Sequence, residues 1–275
     1  MKRLLTIVAL SSSLTLGLNA EASTATTAPS AQTINQSANV INLAGKQRML
    51  TQKMSKEVLM VAKGINADAN GKALQKTVAL FDKTLKGLIS GDTTLNLPAT
   101  TDKDILAQLK VVSDLWTPFK ASIEKADLKT VASTNIALLK NMNKAVGMFA
   151  KASGSKLDPK MAKTINLAGK QRMLTQKMTK ELLLIANGID VEANTANIKK
   201  TASLFETTLN DLIANCKKDN IKAQLQVVSK LWSDYAPIVK NADISAQALT
   251  KANEANIPLL KNMNKAVKMY EASAK

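Results

Sequence analysis

Arginine usage marks the residues most able to do chemistry. Beyond Arg3 the chain holds only Arg48 and Arg172, and lysine supplies every other positive side chain. A guanidinium is planar, always charged and donates parallel hydrogen bonds to an oxyanion, whereas an ammonium is a hydrated point charge. Both arginines stand in the same string, INLAGKQRMLTQKM, which runs from Ile41 to Met54 and again, letter for letter, from Ile165 to Met178. Two such groups about 6 Å apart would repel by roughly 3 kcal/mol at an effective dielectric near 20. An anion held between them removes that penalty. A small flat oxyanion could accept from both, with Gln52 and Gln176 as neutral donors. The competing reading, in which each arginine caps a helix or pairs with a carboxylate of its own bundle, stays open at this point.

The rest of the inventory argues against catalysis. The chain has no histidine, which removes the usual imidazole base, the usual pH switch and most zinc sites. Its carboxylates are scattered without a paired acid–base arrangement. The single Cys216 cannot form an internal disulfide and reads as a tolerated thiol near a helix end. No catalytic residue, metal or cofactor is expected, and the protein reads as a binder.

Net charge is +17 over 275 residues, a field that attracts anions and anionic surfaces. Aromatics make up only 3% and do not interleave with basic runs, so nucleic acid is not expected as a partner. Residues 1–22 read as a cleavable secretory signal: Lys2 and Arg3, then the apolar runs Leu4–Leu10 and Leu14–Leu18, then Ala20-Glu21-Ala22. Ser11–Ser13 interrupt the apolar run, which disfavours an uncleaved anchor, and no later segment is apolar enough to span a membrane. The expected location is the periplasm.

Positioning the arginines requires helices, and the chain supplies them twice. After the shared string, QL-VVS-LW recurs at Gln108–Trp116 and Gln224–Trp232, and LLKNMNKAV at Leu138–Val146 and Leu259–Val267. Apolar residues at three- and four-residue spacing predict four helices per copy, near 32–63, 66–90, 102–126 and 128–152, then 158–187, 190–215, 219–241 and 244–273. Gly64 and Gly188 end the first helices, and Asp158-Pro159 reads as a cap and first-turn pair. Pro118, Pro237 and Pro258 are each expected to bend or start a helix. The expected fold is all-α, two tandem up-down four-helix bundles arranged as an intramolecular pseudo-dimer. Its domains are a lead-in over 23–35, copy one over 36–153 and copy two over 158–275.

At about 100° per residue, Leu43, Gln47, Leu50, Met54, Glu57, Val58 and Val61 form one stripe, read as the core face of the first helix. Ile41, Gly45, Arg48, Gln52 and Leu59 lie opposite and recur as Ile165, Gly169, Arg172, Gln176 and Leu183. Two such mixed stripes can bury each other. Gly45 and Gly169 cost their helices about 1 kcal/mol each relative to alanine, which close backbone approach would offset. Trp116 and Trp232 are read as core anchors. Asn141, Asn143, Asn262 and Asn264 are read as packing contacts outside the site.

The string at Asn42–Met54 and Asn166–Met178 resembles the first-helix motif of the PilJ-like sensor domain, found at the N-terminus of type IV pilus chemotaxis transducers and related to the ectodomains of nitrate/nitrite sensor kinases. The resemblance implies helical bundles that dimerise, with nitrate or nitrite held between the first helices by the motif arginines, here Arg48 and Arg172, beside Gly45 and Gly169. It implies chemotaxis or other signal transduction, with a membrane receptor or sensor kinase as partner. The rival readings are a cationic helical protein bound to an anionic surface or partner, and a scaffold without a ligand.

Overall fold

The structure is a computed structural model describing residues 29–274; the signal-like segment 1–22 and the start of the lead-in lie outside the described residues. It contains eight long helices: α1 (Ala31–Ala62), α2 (Ala67–Ser90), α3 (Lys103–Glu124), α4 (Leu128–Ala152), α5 (Pro159–Ala186), α6 (Val191–Asn215), α7 (Asp219–Lys240) and α8 (Ala246–Ala272). The chain is all-α, as the periodicity predicts. Ala31–Asn35, assigned from sequence to the flexible lead-in, instead open α1, because the Ser30 side chain accepts from the Thr33 amide and caps it.

Local signals account for most boundaries. Gly64 and Gly188 both sit at φ 69° just past α1 and α5. There Ile65 donates to the Met60 carbonyl and Gly64 to Val61, a Schellman closure repeated by Ile189 to Leu184 and Gly188 to Ile185. Asp158 caps α5 through the Met161 amide, with Pro159 in the first turn. Pro118, Pro237 and Pro258 all sit inside helices and start none. One element was absent from the sequence reading: β1 (Gly91–Asp92) and β2 (Leu97–Ala99) form a small antiparallel hairpin. Gly91 at φ 84° makes the turn out of α2, Asp92 caps the intervening turn, and Leu97 is buried beneath. Copy two lacks these residues and passes from α6 to α7 directly.

In each copy the helices close a ring, α1–α2–α3–α4 and α5–α6–α7–α8, around a core of large apolar side chains. Trp116 is buried against Phe81 at 4.3 Å and Trp232 against Phe205 at 4.7 Å, so both tryptophans are core anchors. Each indole donates outward to a carboxylate, Asp82 at 2.6 Å and Glu206 at 3.2 Å. The turn at Ser153–Ser155 and the buried Leu157 join the copies and deliver α5 alongside α1.

The α1–α5 pair is the centre of the molecule. Besides α5, α1 touches α2 and α4 of its own bundle and α8 of the other, and α5 is likewise wrapped by α6, α8 and α4. Both helices are therefore buried nearly all round, which corrects the two-stripe picture of one core face and one pairing face. Leu43, taken as the middle of the core stripe, is only half-buried, while Gln47, Thr51, Gln52 and Ser55 are wholly buried. A polar helix in such a place requires internal partners for its side chains. Supplying them fixes the site.

Candidate functional site

Arg48 and Arg172 are each 1% exposed, the largest fully buried side chains among the described residues. Helical side chains lean toward the N-terminus, so both reach back over the preceding turn and cross to the other copy. Arg48 donates through Nη1 to Asn143 Oδ1 on α4 at 2.8 Å and through Nη2 to the Asn166 carbonyl on α5 at 3.2 Å. Arg172 mirrors it, with Nη1 to Asn264 Oδ1 on α8 at 2.8 Å and Nη2 to the Asn42 carbonyl on α1 at 3.0 Å.

The glycines set how near the two forks come. A Cβ on Gly45 would lie 3.3 Å from Arg48 Nη2 and 3.7 Å from Arg172 Nη2; one on Gly169 would lie 3.5 Å from each. Both guanidiniums thus converge on Gly45 and Gly169. Every acceptor they have is neutral, and neither enters a salt bridge among the described residues. Each Nε is buried without a partner. Burial, then the neighbouring Arg172, pushes Arg48 down to about 9, and burial pushes Arg172 down to about 10. A guanidinium keeps its proton at neutral pH, so both arginines stay cationic in an interior that disfavours charge.

Gln52 and Gln176 lie one turn further on, and their amide donors are taken. Gln52 Nε2 donates to Asn135 Oδ1 at 2.8 Å and Thr51 Oγ1 at 3.0 Å, and Gln176 Nε2 to Asn256 Oδ1 at 2.7 Å. Their buried Oε1 atoms have no partner. The structure thus brings Arg48, Arg172, Gly45 and Gly169 together and sets the glutamines in a second layer as supports. Two further lysines join that layer from the opposite copies. Lys56 donates to Asn256 and Lys180 to Asn135, each at 3.3 Å, and burial lowers both to about 8.

Sequence reasoning missed Asn143 and Asn264. The repeated LLKNMNKAV block was their signal, but nothing in one helix tells which asparagine faces an arginine on another. It also missed an asymmetry. Glu271 accepts from the Asn42 side chain and interacts with Arg172, and burial raises its carboxyl despite both. The corresponding position of copy one is Ala150.

The structure is thus a duplicated helical bundle whose two copies bring two buried cationic forks together. A family model for the type IV pili methyl-accepting chemotaxis transducer N-terminal domain matches residues 30–141 and 158–258. The chain belongs to that family, a family of non-catalytic sensory domains, and carries two copies in tandem. It is similar to methyl-accepting chemotaxis protein McpN of Pseudomonas aeruginosa, 29% identical over 126 residues. The match takes in 43% of this chain but only 23% of that receptor's length. No helix among the described residues is long and apolar enough to cross a membrane.

Proposed function

We propose that this protein senses or binds a small planar oxyanion, nitrate or nitrite, between α1 and α5, with Arg48 and Arg172 each contributing a fork. The observation that carries this reading is the pair of buried guanidiniums converging on two glycines, whose hydrogen bonds all go to neutral acceptors. Without an anion their repulsion amounts to roughly 3 kcal/mol if the charges lie about 6 Å apart. A monovalent anion between them turns repulsion into two charge-assisted contacts. The glycines, having no Cβ, let both forks lie close over the two helix backbones, and a flat ion can accept from both forks at once. Asn143, Asn264, Gln52 and Gln176 hold the forks and their second layer in place.

The proposed setting is the periplasm, reached through the segment at 1–22. There the fused copies would stand in for a receptor dimer and offer their ligand-bound state to a membrane receptor or sensor kinase. Calorimetric titration of the mature protein with nitrate, nitrite, chloride and sulfate tests the site. One nitrate or nitrite per chain is the expected stoichiometry. Two per chain would assign an independent site to each copy and overturn the shared one.

A further inference from the structure

Apart from the arginine site, the seam between the copies carries two open grooves related by the internal repeat. One lies between α1, α2 and α8 and encloses about 470 Å³; the other lies between α4, α5 and α6 and encloses about 480 Å³. Their apolar walls correspond, Met49, Leu260 and Ile257 in the first and Met173, Leu139 and Ile136 in the second. Ile136 and Ile257 are 67% and 59% exposed, more than any other large apolar side chain described. Both copies thus leave an isoleucine open to solvent on the wall of a groove.

The grooves are cationic as well as apolar. Lys56 lines the first and Lys180 the second. Each is at least nine-tenths buried, and each has three donors but a single acceptor at 3.3 Å. Lys46 and Lys261 ring the first mouth, Lys170 and Lys140 the second. The first groove has no carboxylate in its lining, whereas the second includes Asp190 and also Glu181, which pairs with Lys177.

We propose that each groove binds an organic monocarboxylate with an aliphatic body, its head on the buried ammonium and its tail along the isoleucine wall. Charge complementarity selects the head, and the volume falls within the range of small-molecule sites. The acid-free groove holding Lys56 is the tighter of the two.

Decanoate is the probe, titrated calorimetrically into the mature protein, with acetate and decyltrimethylammonium as controls for head and tail. Two decanoates per chain are expected, with neither control binding comparably. Lys56→Met replaces the ammonium with an apolar side chain of similar length and should remove the tighter site, leaving one; adding Lys180→Met should remove both. Ile257→Glu, on an exposed position where folding is not at stake, should weaken the first groove at least roughly tenfold by placing a carboxylate at its wall. Decanoate that fails to bind, that binds unchanged in these variants, or that is matched by decyltrimethylammonium would overturn the proposal. The result does not depend on whether nitrate binds at the arginines.

Discussion

Arg48 leaves its own bundle to donate to the main-chain carbonyl of Asn166, 3.2 Å away on the helix that carries the second arginine. The reciprocal contact, Arg172 to Asn42, makes each fork a strut of the other copy. The arginines are therefore part of the joint between the copies, and a ligand that touches them acts on that joint.

Nitrate should stabilise the wild-type protein against heat in a concentration-dependent way, by about 2.7 kcal/mol at a hundredfold excess over its dissociation constant. Arg48→Lys and Arg172→Lys should abolish this shift, because an ammonium cannot reproduce the fork. Adsorption to anionic vesicles, if driven by the dispersed lysines, should persist in both variants and fade with salt. A thermal shift that survives either substitution would remove the arginines from the site.

Gly45→Ala separates helix stability from ligand space. The new methyl would stand 3.3 Å from Arg48 Nη2 and 3.7 Å from Arg172 Nη2, tight for one fork and ordinary for the other. Alanine favours the helix by about 1 kcal/mol, so the melting temperature without anion should hold or rise. Nitrate affinity should fall by roughly tenfold or more as the methyl displaces the Arg48 fork, about 1.4 kcal/mol on the binding scale. Unchanged affinity would show that the anion sits elsewhere.

Asn143→Asp would install a carboxylate where Arg48 Nη1 now finds a neutral oxygen at 2.8 Å. The internal ion should compete with the external one, weakening nitrate binding while stabilising the anion-free protein by about 1–3 kcal/mol. Thermal melts with and without nitrate measure both effects. Tighter nitrate binding in this variant would contradict the assignment.

Lys56 and Lys180 give the protein an alkaline stability gain. Burial lowers both from an ordinary 10.5 to about 8, so between those values the unfolded chain holds protons that the folded chain has released. Folding stability therefore rises as pH increases through that window, by up to about 3 kcal/mol for each lysine. Below pH 8 both states are protonated and the burial penalty is present in full. Denaturant melts from pH 7 to 10.5 should show the rise in wild type and lose most of it in the Lys56→Met, Lys180→Met double variant. Equal slopes would place these ammonium groups in water.

Ala126 and Ala242 both follow a helix at φ 50°, where the Schellman closures of α3 and α7 demand left-handed backbone. Alanine is strained there, and Gly64 and Gly188 fill the same role without strain. Ala126→Gly and Ala242→Gly should each stabilise the fold by about 0.5–1 kcal/mol, read as a higher melting temperature.

Much of this structure was legible because helices announce their ends locally. Asp158-Pro159, Gly64 and Gly188 act within one turn, and the helix ends fall within about two residues of those they predict, within the usual scatter of helix assignment. The arginine pairing was legible for a different reason, since an identical string in two copies sets up a symmetric contact. Tertiary partners were not legible. Asn143 and Asn264 became arginine acceptors, and Gln52 and Gln176 became their neighbours' supports, through packing between helices distant in sequence. Lys56 and Lys180 were hidden by habit, because lysine is almost always solvated and only the crowding around α1 and α5 buries these two. The hairpin at Gly91–Ala99 is too short to display any alternation.

Identical subunits must place the same residue on both sides of their axis; a covalently joined pair is free of that restriction. Glu271 uses the freedom, accepting from Asn42 and interacting with Arg172, while alanine occupies the matching position of copy one. The surroundings of the two arginines are consequently unequal, one with a carboxyl group near it and the other without. A ligand seated between the arginines, as proposed, would meet two unlike sides.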